Sequence, residues 1–81
     1  MNDWYVYILK CSDGSLYTGI TVDLDRRLDE HNNSKKGAKY TRARRPVQMM
    51  YSETYENRSL AAKRESAIKK LSRSEKLILL K

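Results

Sequence analysis

One cysteine and one histidine among 81 residues leave this chain without two common staples of small domains. Cys11 alone cannot close a disulfide within the chain, and Cys11 with His31 falls short of the ligands of a structural zinc site. Long hydrophobic runs are also missing. The longest, Trp4 to Leu9, has six residues, far fewer than a signal core or the roughly 20 of a membrane-spanning helix. No internal repeat, low-complexity tract or interdomain linker interrupts the sequence. What remains is one domain over residues 1–81, able to fold alone around a modest core. These absences predict a soluble protein of the reducing cytoplasm, with no membrane contact.

Charge is what the chain has in excess. Seventeen Lys and Arg against ten Asp and Glu give a formal net charge of +7. On so small a body that surplus attracts polyanions, through steering and release of counterions from phosphate. Nucleic acid is therefore the first partner to consider.

Trp4 to Leu9 and Leu16 to Thr21 are rich in aromatic and β-branched residues and read as strands. Asp13-Gly14 between them marks a hairpin. A two-residue loop pairs Ser12 with Ser15 and sends Tyr7 and Tyr17 to opposite faces. A three-residue loop, with Gly14 left-handed, pairs Cys11 with Ser15 and puts both tyrosines on one face. If the tyrosines act together, the longer loop is required.

Asp23 is placed to cap a helix running to about Asn32. Leu24, Arg27, Leu28 and His31 share its inner stripe, which is half apolar and half cationic. Residues 33–45 lack an apolar period and carry Lys35, Lys36, Lys39, Arg42, Arg44 and Arg45, a basic loop with room for one helical turn. Pro46 ends it, and Val47 to Tyr55 reads as a third strand. Asn57 or Ser59 caps a second helix with Leu60, Ala61, Ala67, Ile68 and Leu71 inside. On that wheel Glu65 lies about 100° from the stripe's centre. Ser72 and Glu75 have capping-box spacing and open a last short helix. The order β-β-α-β-α-α predicts an α+β fold, a small three-stranded sheet with antiparallel pairing flanked by helices.

Four features in this order resemble the GIY-YIG nuclease domain, and within it the short single-domain bacterial members. Tyr5-Val6-Tyr7 stands where that family has Gly-Ile-Tyr, and Tyr17-Thr18-Gly19 where it has Tyr-Ile-Gly. Asp23-Leu24-Asp25-Arg26-Arg27-Leu28 with His31 is similar to the family's Arg-and-His helix. Glu65, between Lys63-Arg64 and Lys69-Lys70, is similar to its metal-binding Glu. Tyr5 and Thr18 replace the motif's first Gly and its Ile. Many active members also carry an Asn after the metal-binding Glu, whereas the last Asn here is Asn57.

The resemblance implies a metal-dependent endonuclease hydrolysing DNA phosphodiesters in repair or processing. Because no recognition helix, zinc finger or second domain is evident, binding is expected to be selective for structure (nicked, flapped or branched DNA) or only weakly selective. On the nuclease reading Tyr17 draws a proton from the attacking water. A free phenol ionises near pH ~10, so a tyrosine base needs cations such as Arg27 and a metal beside it. Tyr7 hydrogen-bonds the nucleophile or a phosphate oxygen. Arg27 stabilises phosphate charge with its planar fork, and His31 orients a phosphate oxygen or helps move a proton. Glu65 holds one Mg²⁺ or Mn²⁺. By its own charge, apart from the resemblance, the basic loop of Lys35, Lys36, Lys39, Arg42, Arg44 and Arg45, together with Tyr40 and Thr41, is suited to track a phosphate backbone and stack on an unpaired base. DNA is the expected partner, RNA is not excluded, and no small-molecule cofactor is expected.

Taken singly, each residue has an ordinary structural explanation. Tyr7 and Tyr17 suit strands, His31 suits a satisfied polar position, Glu65 suits an ion pair with Lys69 at i+4, and the basic loop suits a solvated surface. Two other functions use the same residues: a nucleic-acid-binding module without catalysis, and a basic domain for an acidic protein partner.

Overall fold

The computed structural model describes residues 3–81. The hairpin is the one with the three-residue loop. The Cys11 N–H donates to the Ser15 carbonyl at 2.8 Å, and Gly14 turns the chain at φ +84°, in the region that favours glycine. β1 (Trp4–Lys10) therefore pairs with β2 (Leu16–Thr21) so that Tyr7 faces Gly19 and Leu9 faces Tyr17. Both tyrosines lie on one face. β3 (Gln48–Tyr55) adds antiparallel to the other side of β1, giving the order β2-β1-β3. A bulge at Ile8/Leu9 shifts the β1–β3 register, pairing Ile8 with Tyr51 but Leu9 with Met49.

The helices begin where side chains satisfy their free amides. Asp23 accepts from the Arg26 N–H at 3.0 Å at the head of α1 (Leu24–Asn33), and Asn57 accepts from Leu60 at 2.9 Å at the head of α3 (Arg58–Lys69). Ser72 and Glu75 form a reciprocal capping box at the head of α4 (Arg73–Leu79). The basic loop contains one turn of helix, α2 (Lys39–Arg42). The α+β layout is as expected, with this turn inserted before β3. Among the described residues no helix is long and apolar enough to cross a membrane.

Alternation along β1 feeds two cores. Val6 and Ile8 pack on Ala61 and Ile68 of α3, with Leu16, Ile20, Tyr51 and Tyr55 around them. Tyr7 and Leu9 face the other way, with Cys11 and Val47, and meet Leu24 and Leu28 of α1. The sheet is thus sandwiched between α1 and α3.

The buried seam of α3 is narrower than the sequence suggested. Only Ala61 and Ile68 are fully buried, while Leu60 and Ala67, each about 100° or more around the helix, are exposed. With the seam centred on Ala61 and Ile68, Arg64 and Glu65 flank it on opposite sides, each about 50° away. Arg64 takes the β3 side, gripping Glu53 through Nε at 2.9 Å and Nη2 at 3.1 Å. The Tyr51 and Tyr55 hydroxyls also donate to that carboxylate. Burial opposes its charge, but the guanidinium and the two phenols prevail and hold Glu53 down at about 2. The grip fixes the roll of α3, and Glu65 consequently faces the β2 side.

The second core contains a buried polar pair, His31 and Thr41, both closed off from solvent. Burial, reinforced by the Arg27 charge, pushes the His31 imidazole down to about 4 from the ordinary 6.5. As pH falls from 6.5 to 4 the unfolded chain binds a proton that the folded chain refuses. The His31 contribution is therefore complete above pH 6.5 and lost towards pH 4, about 3 kcal/mol in all. Urea denaturation at a series of pH values checks this, and a stability that stays level over that interval contradicts it.

Gly19 is the other constraint. A Cβ there would lie 2.7 Å from Cζ of Tyr7 and closer still to its hydroxyl. Gly19→Ala is expected to displace the ring and destabilise the fold by about 1–3 kcal/mol through overpacking. The same denaturation experiment reads this loss.

Candidate active site

Tyr7 leaves β1 on the α1 face, and its ring crosses the space that Gly19 leaves open. Its hydroxyl lies 2.8 Å from Nε2 of His31. His31 reaches it because it lies one helical turn beyond Leu28 on the inner stripe of α1. On the far side of the imidazole, Nδ1 lies 2.7 Å from Oγ1 of Thr41, which sits in α2. Tyr17, from β2, sets its ring edge-on to His31 at 5.3 Å and stacks on Tyr40 at 6.0 Å. Among the described residues the Tyr17 hydroxyl has no hydrogen-bond partner, and the residue is partly exposed. Of the two phenols, Tyr17 is the accessible one.

Arg27 lies one turn before His31 on α1. It is held by Oε1 of Glu30 at 2.9 Å and by the Lys36 carbonyl at 2.8 Å, with about a quarter of its side chain exposed. It stands close enough to Tyr7 and His31 to act on both. Burial pushes the Tyr7 phenol up to about 12 against the pull of Arg27, and the charges of Tyr17 and Glu65 add to the rise. Tyr7 at neutral pH is a firmly protonated phenol, and Glu65 lies within electrostatic reach of it.

Tyr7, Tyr17, Arg27 and His31 thus come together, with Glu65 approaching from α3. The Glu65 carboxylate is paired with Lys69 at 3.3 Å, one turn later on α3. Among the described residues no group of three His, Cys, Asp or Glu side chains is placed to share a metal. A lone carboxylate of hard oxygens does fit Mg²⁺ or Mn²⁺ held mainly by waters and a phosphate. A hollow of about 290 Å³ at the start of α1, lined by Tyr5, Val22, Asp23, Leu24 and Asp25, contains none of these groups.

The structure divides the basic loop. Lys35, Lys36, Lys39 and Arg42 are exposed, with no ion pair among the described residues. Arg44 instead bonds Asp13 at 3.1 Å and the Tyr40 carbonyl at 2.9 Å, and lies 3.9 Å above the Tyr40 ring. Arg45 ties the end of α1 to the loop through the carbonyls of His31 (2.6 Å), Glu30 (3.3 Å) and Ser34 (2.5 Å). These two guanidiniums are committed to the fold by the carbonyls left free at a helix end and by the turn carboxylate. Tyr40 and Thr41 also differ from expectation. Tyr40 stacks on Tyr17 and carries the Arg44 guanidinium over its ring, so part of its ring surface is already taken. Thr41 is fully buried against His31. His31, closed off with both nitrogens bonded, is likewise unable to touch a phosphate oxygen directly.

The bond from His31 to Thr41 is the part of the site that the sequence did not disclose. Thr41 stands among lysines and arginines, ten positions from its partner, and no local pattern links the two.

The profile of the GIY-YIG catalytic domain matches residues 3–77. The chain is 59% identical over 78 residues to the UPF0213 protein DP2720 of Desulfotalea psychrophila, spanning 96% of this chain and 71% of that one. It is 56% identical over 81 residues to a UPF0213 protein of Syntrophus aciditrophicus, spanning 100% and 93%. Among solved structures it is similar to the UPF0213 protein BH0048 of Bacillus halodurans (TM-score 0.61, 46% identity, 96% of this chain and 82% of that one). It is also similar to the protein EF2693 of E. faecalis (TM-score 0.63, 52% identity, 94% and 80%). With a match over nearly its whole length, the chain belongs to the GIY-YIG domain family, among its small UPF0213 members.

Proposed function

We propose that the chain is an endonuclease that hydrolyses DNA phosphodiesters with one divalent metal ion, on nicked, flapped or branched DNA in repair or processing in the cytoplasm. The observation that carries this reading is the convergence of two phenols, a guanidinium and a buried imidazole, with a carboxylate in electrostatic reach. Tyr17, whose hydroxyl is free to give up its own proton to solvent, takes the proton of the attacking water as the phenolate. Tyr7 holds that water, and His31 supports Tyr7 from behind. Arg27 neutralises the phosphate oxygens, where a fixed cation contributes most as charge builds. Glu65 would hold Mg²⁺ or Mn²⁺, which supplies charge stabilisation at the phosphate and the departing oxygen. Lys35, Lys36, Lys39 and Arg42 follow the phosphate backbone, and the domain's selectivity comes from DNA shape.

One observation favours a second reading, a nucleic-acid-binding module without catalysis. Glu65 already has a counter-charge in Lys69, and a carboxylate so paired has no need of a metal.

Side-by-side assays on linear, nicked, flapped and four-way DNA separate the two. For the nuclease, Mg²⁺ or Mn²⁺ supports cutting, Tyr17→Phe lowers it about 10²–10⁴-fold, and Glu65→Ala abolishes it with DNA affinity measured in the absence of metal retained. Wild type that binds DNA but cuts none of the four substrates with either metal sinks the catalytic reading.

The division of the basic loop is tested by salt dependence. Replacing both Lys39 and Arg42 by Ala is expected to flatten the slope of log affinity against log salt by about 2, close to one for each phosphate contact. Arg45→Ala is expected to lower the unfolding temperature because it removes a donor from three carbonyls and leaves that of His31 without one among the described residues. Equal effects of both changes on the salt slope overturn the division.

A further inference from the structure

We propose that Thr41 is a positioning residue that fixes the direction of the hydrogen-bond chain through His31, and so makes the Tyr7 oxygen an acceptor, never a donor, towards water or substrate. The argument starts at the far end. The Thr41 hydroxyl donates its only proton to the Ala38 carbonyl at 3.0 Å. Oγ1 then offers nothing but lone pairs to Nδ1 of His31, 2.7 Å away, so Nδ1 must carry the proton. The imidazole is fully buried beside Arg27 and is neutral near pH 7. A neutral ring protonated at Nδ1 has a bare Nε2. The 2.8 Å contact between Nε2 and the Tyr7 hydroxyl is therefore a bond that Tyr7 donates.

That spends the one proton Tyr7 has. The remaining lone pairs of its oxygen accept from a water or from the guanidinium of Arg27 beside it. A phosphate oxygen has no proton to give and finds no donor here. On the nuclease reading, on which this role for the chain rests, Tyr7 acts on the nucleophile and on Arg27, and the phosphate is left to Arg27 and the metal. Every bond in the sequence Tyr7, His31, Thr41, Ala38 runs outward from the site and ends on a backbone carbonyl. The carbonyl belongs to the residue just before α2, so the polarity is anchored in main chain.

Nitrogen-15 NMR of the His31 ring in the free protein reads the tautomer without reference to activity. Wild type is expected to show a protonated Nδ1 and a bare Nε2 at neutral pH. Thr41→Val leaves Nδ1–H without an acceptor, so the ring is expected to turn to the Nε2–H form or a mixture. DNA cutting should fall about ten- to a hundredfold, a loss of the size seen when a metal-bound histidine loses the partner that orients it. DNA affinity should be unchanged, and Thr41→Ser should restore both the tautomer and the rate. An Nε2–H ring or an imidazolium in wild type overturns the proposal, as does Thr41→Val with the wild-type tautomer and rate. If Thr41→Val does not fold, the wild-type spectrum and Thr41→Ser still decide. If wild type cuts no DNA, the nuclease reading fails while the ring spectrum still judges the direction of the chain.

Discussion

A single imidazole, out of contact with water and bonded at both nitrogens, ties together the three elements that build the site. His31 joins β1 through Tyr7 and α2 through Thr41, and itself belongs to α1. A satisfied hydrogen bond in a core adds only about 0.5–1.5 kcal/mol, but orphaning one of its buried partners costs about 1–3 kcal/mol. Three elements are thus locked less by what the bonds add than by what each alternative arrangement would lose. Arg45 reinforces the lock by closing the carbonyls at the end of α1, the turn that carries His31. Gly37 fits only because it has no side chain, since a Cβ would lie 2.6 Å from the Glu30 carbonyl oxygen. The loop must fold back on α1 for Thr41 to arrive.

The opposite face of the sheet is organised by an ion pair of a different kind. Glu53 and Arg64 meet with bidentate geometry, and two tyrosine hydroxyls occupy the remaining acceptor positions of the carboxylate. Exposed pairs contribute little because both side chains give up rotamer freedom in a screening solvent. Here the strand and the helix are already fixed by the Val6, Ile8, Ala61 and Ile68 core, so the pair chooses the roll of α3 more than it adds stability. The choice matters because Glu65 is the next residue. One face of the sheet positions the phenols, guanidinium and imidazole, and the other aims the carboxylate.

Much of this was legible in the sequence because the signals are local. Caps at Asp23, Asn57 and Ser72 act within three residues, and the left-handed Gly14 sets the register of the whole hairpin. The stripe of Leu24, Arg27, Leu28 and His31 follows from helical spacing alone. What escaped depends on contacts between distant segments. Arg44 and Arg45 look like any other basic residues until the Asp13 turn and the end of α1 are brought to them. Thr41 reads as a loop hydroxyl until His31 lies 2.7 Å away. The width of the α3 seam was misjudged for a related reason. Periodicity counts Leu60 and Ala67 as inside, while the actual width depends on how much of the helix a three-stranded sheet covers.

The economy of the site also constrains how a nuclease of this form must work. A protein of net charge +7 is a poor place to concentrate a divalent cation, and Glu65 is already neutralised by Lys69. One carboxylate supplies one ligand, while Mg²⁺ keeps most of its shell as water and phosphate oxygen. On the proposed reading the substrate therefore brings both the missing ligands and the missing negative charge. Each of these raises the affinity for the ion, and by linkage the ion raises the affinity for the substrate by the same factor. The free protein, with Lys69 on Glu65 and Tyr7 holding its proton on His31, is then at rest electrostatically as well as structurally. On that reading its positive surface and Glu65 both await the same partner, a scissile phosphate.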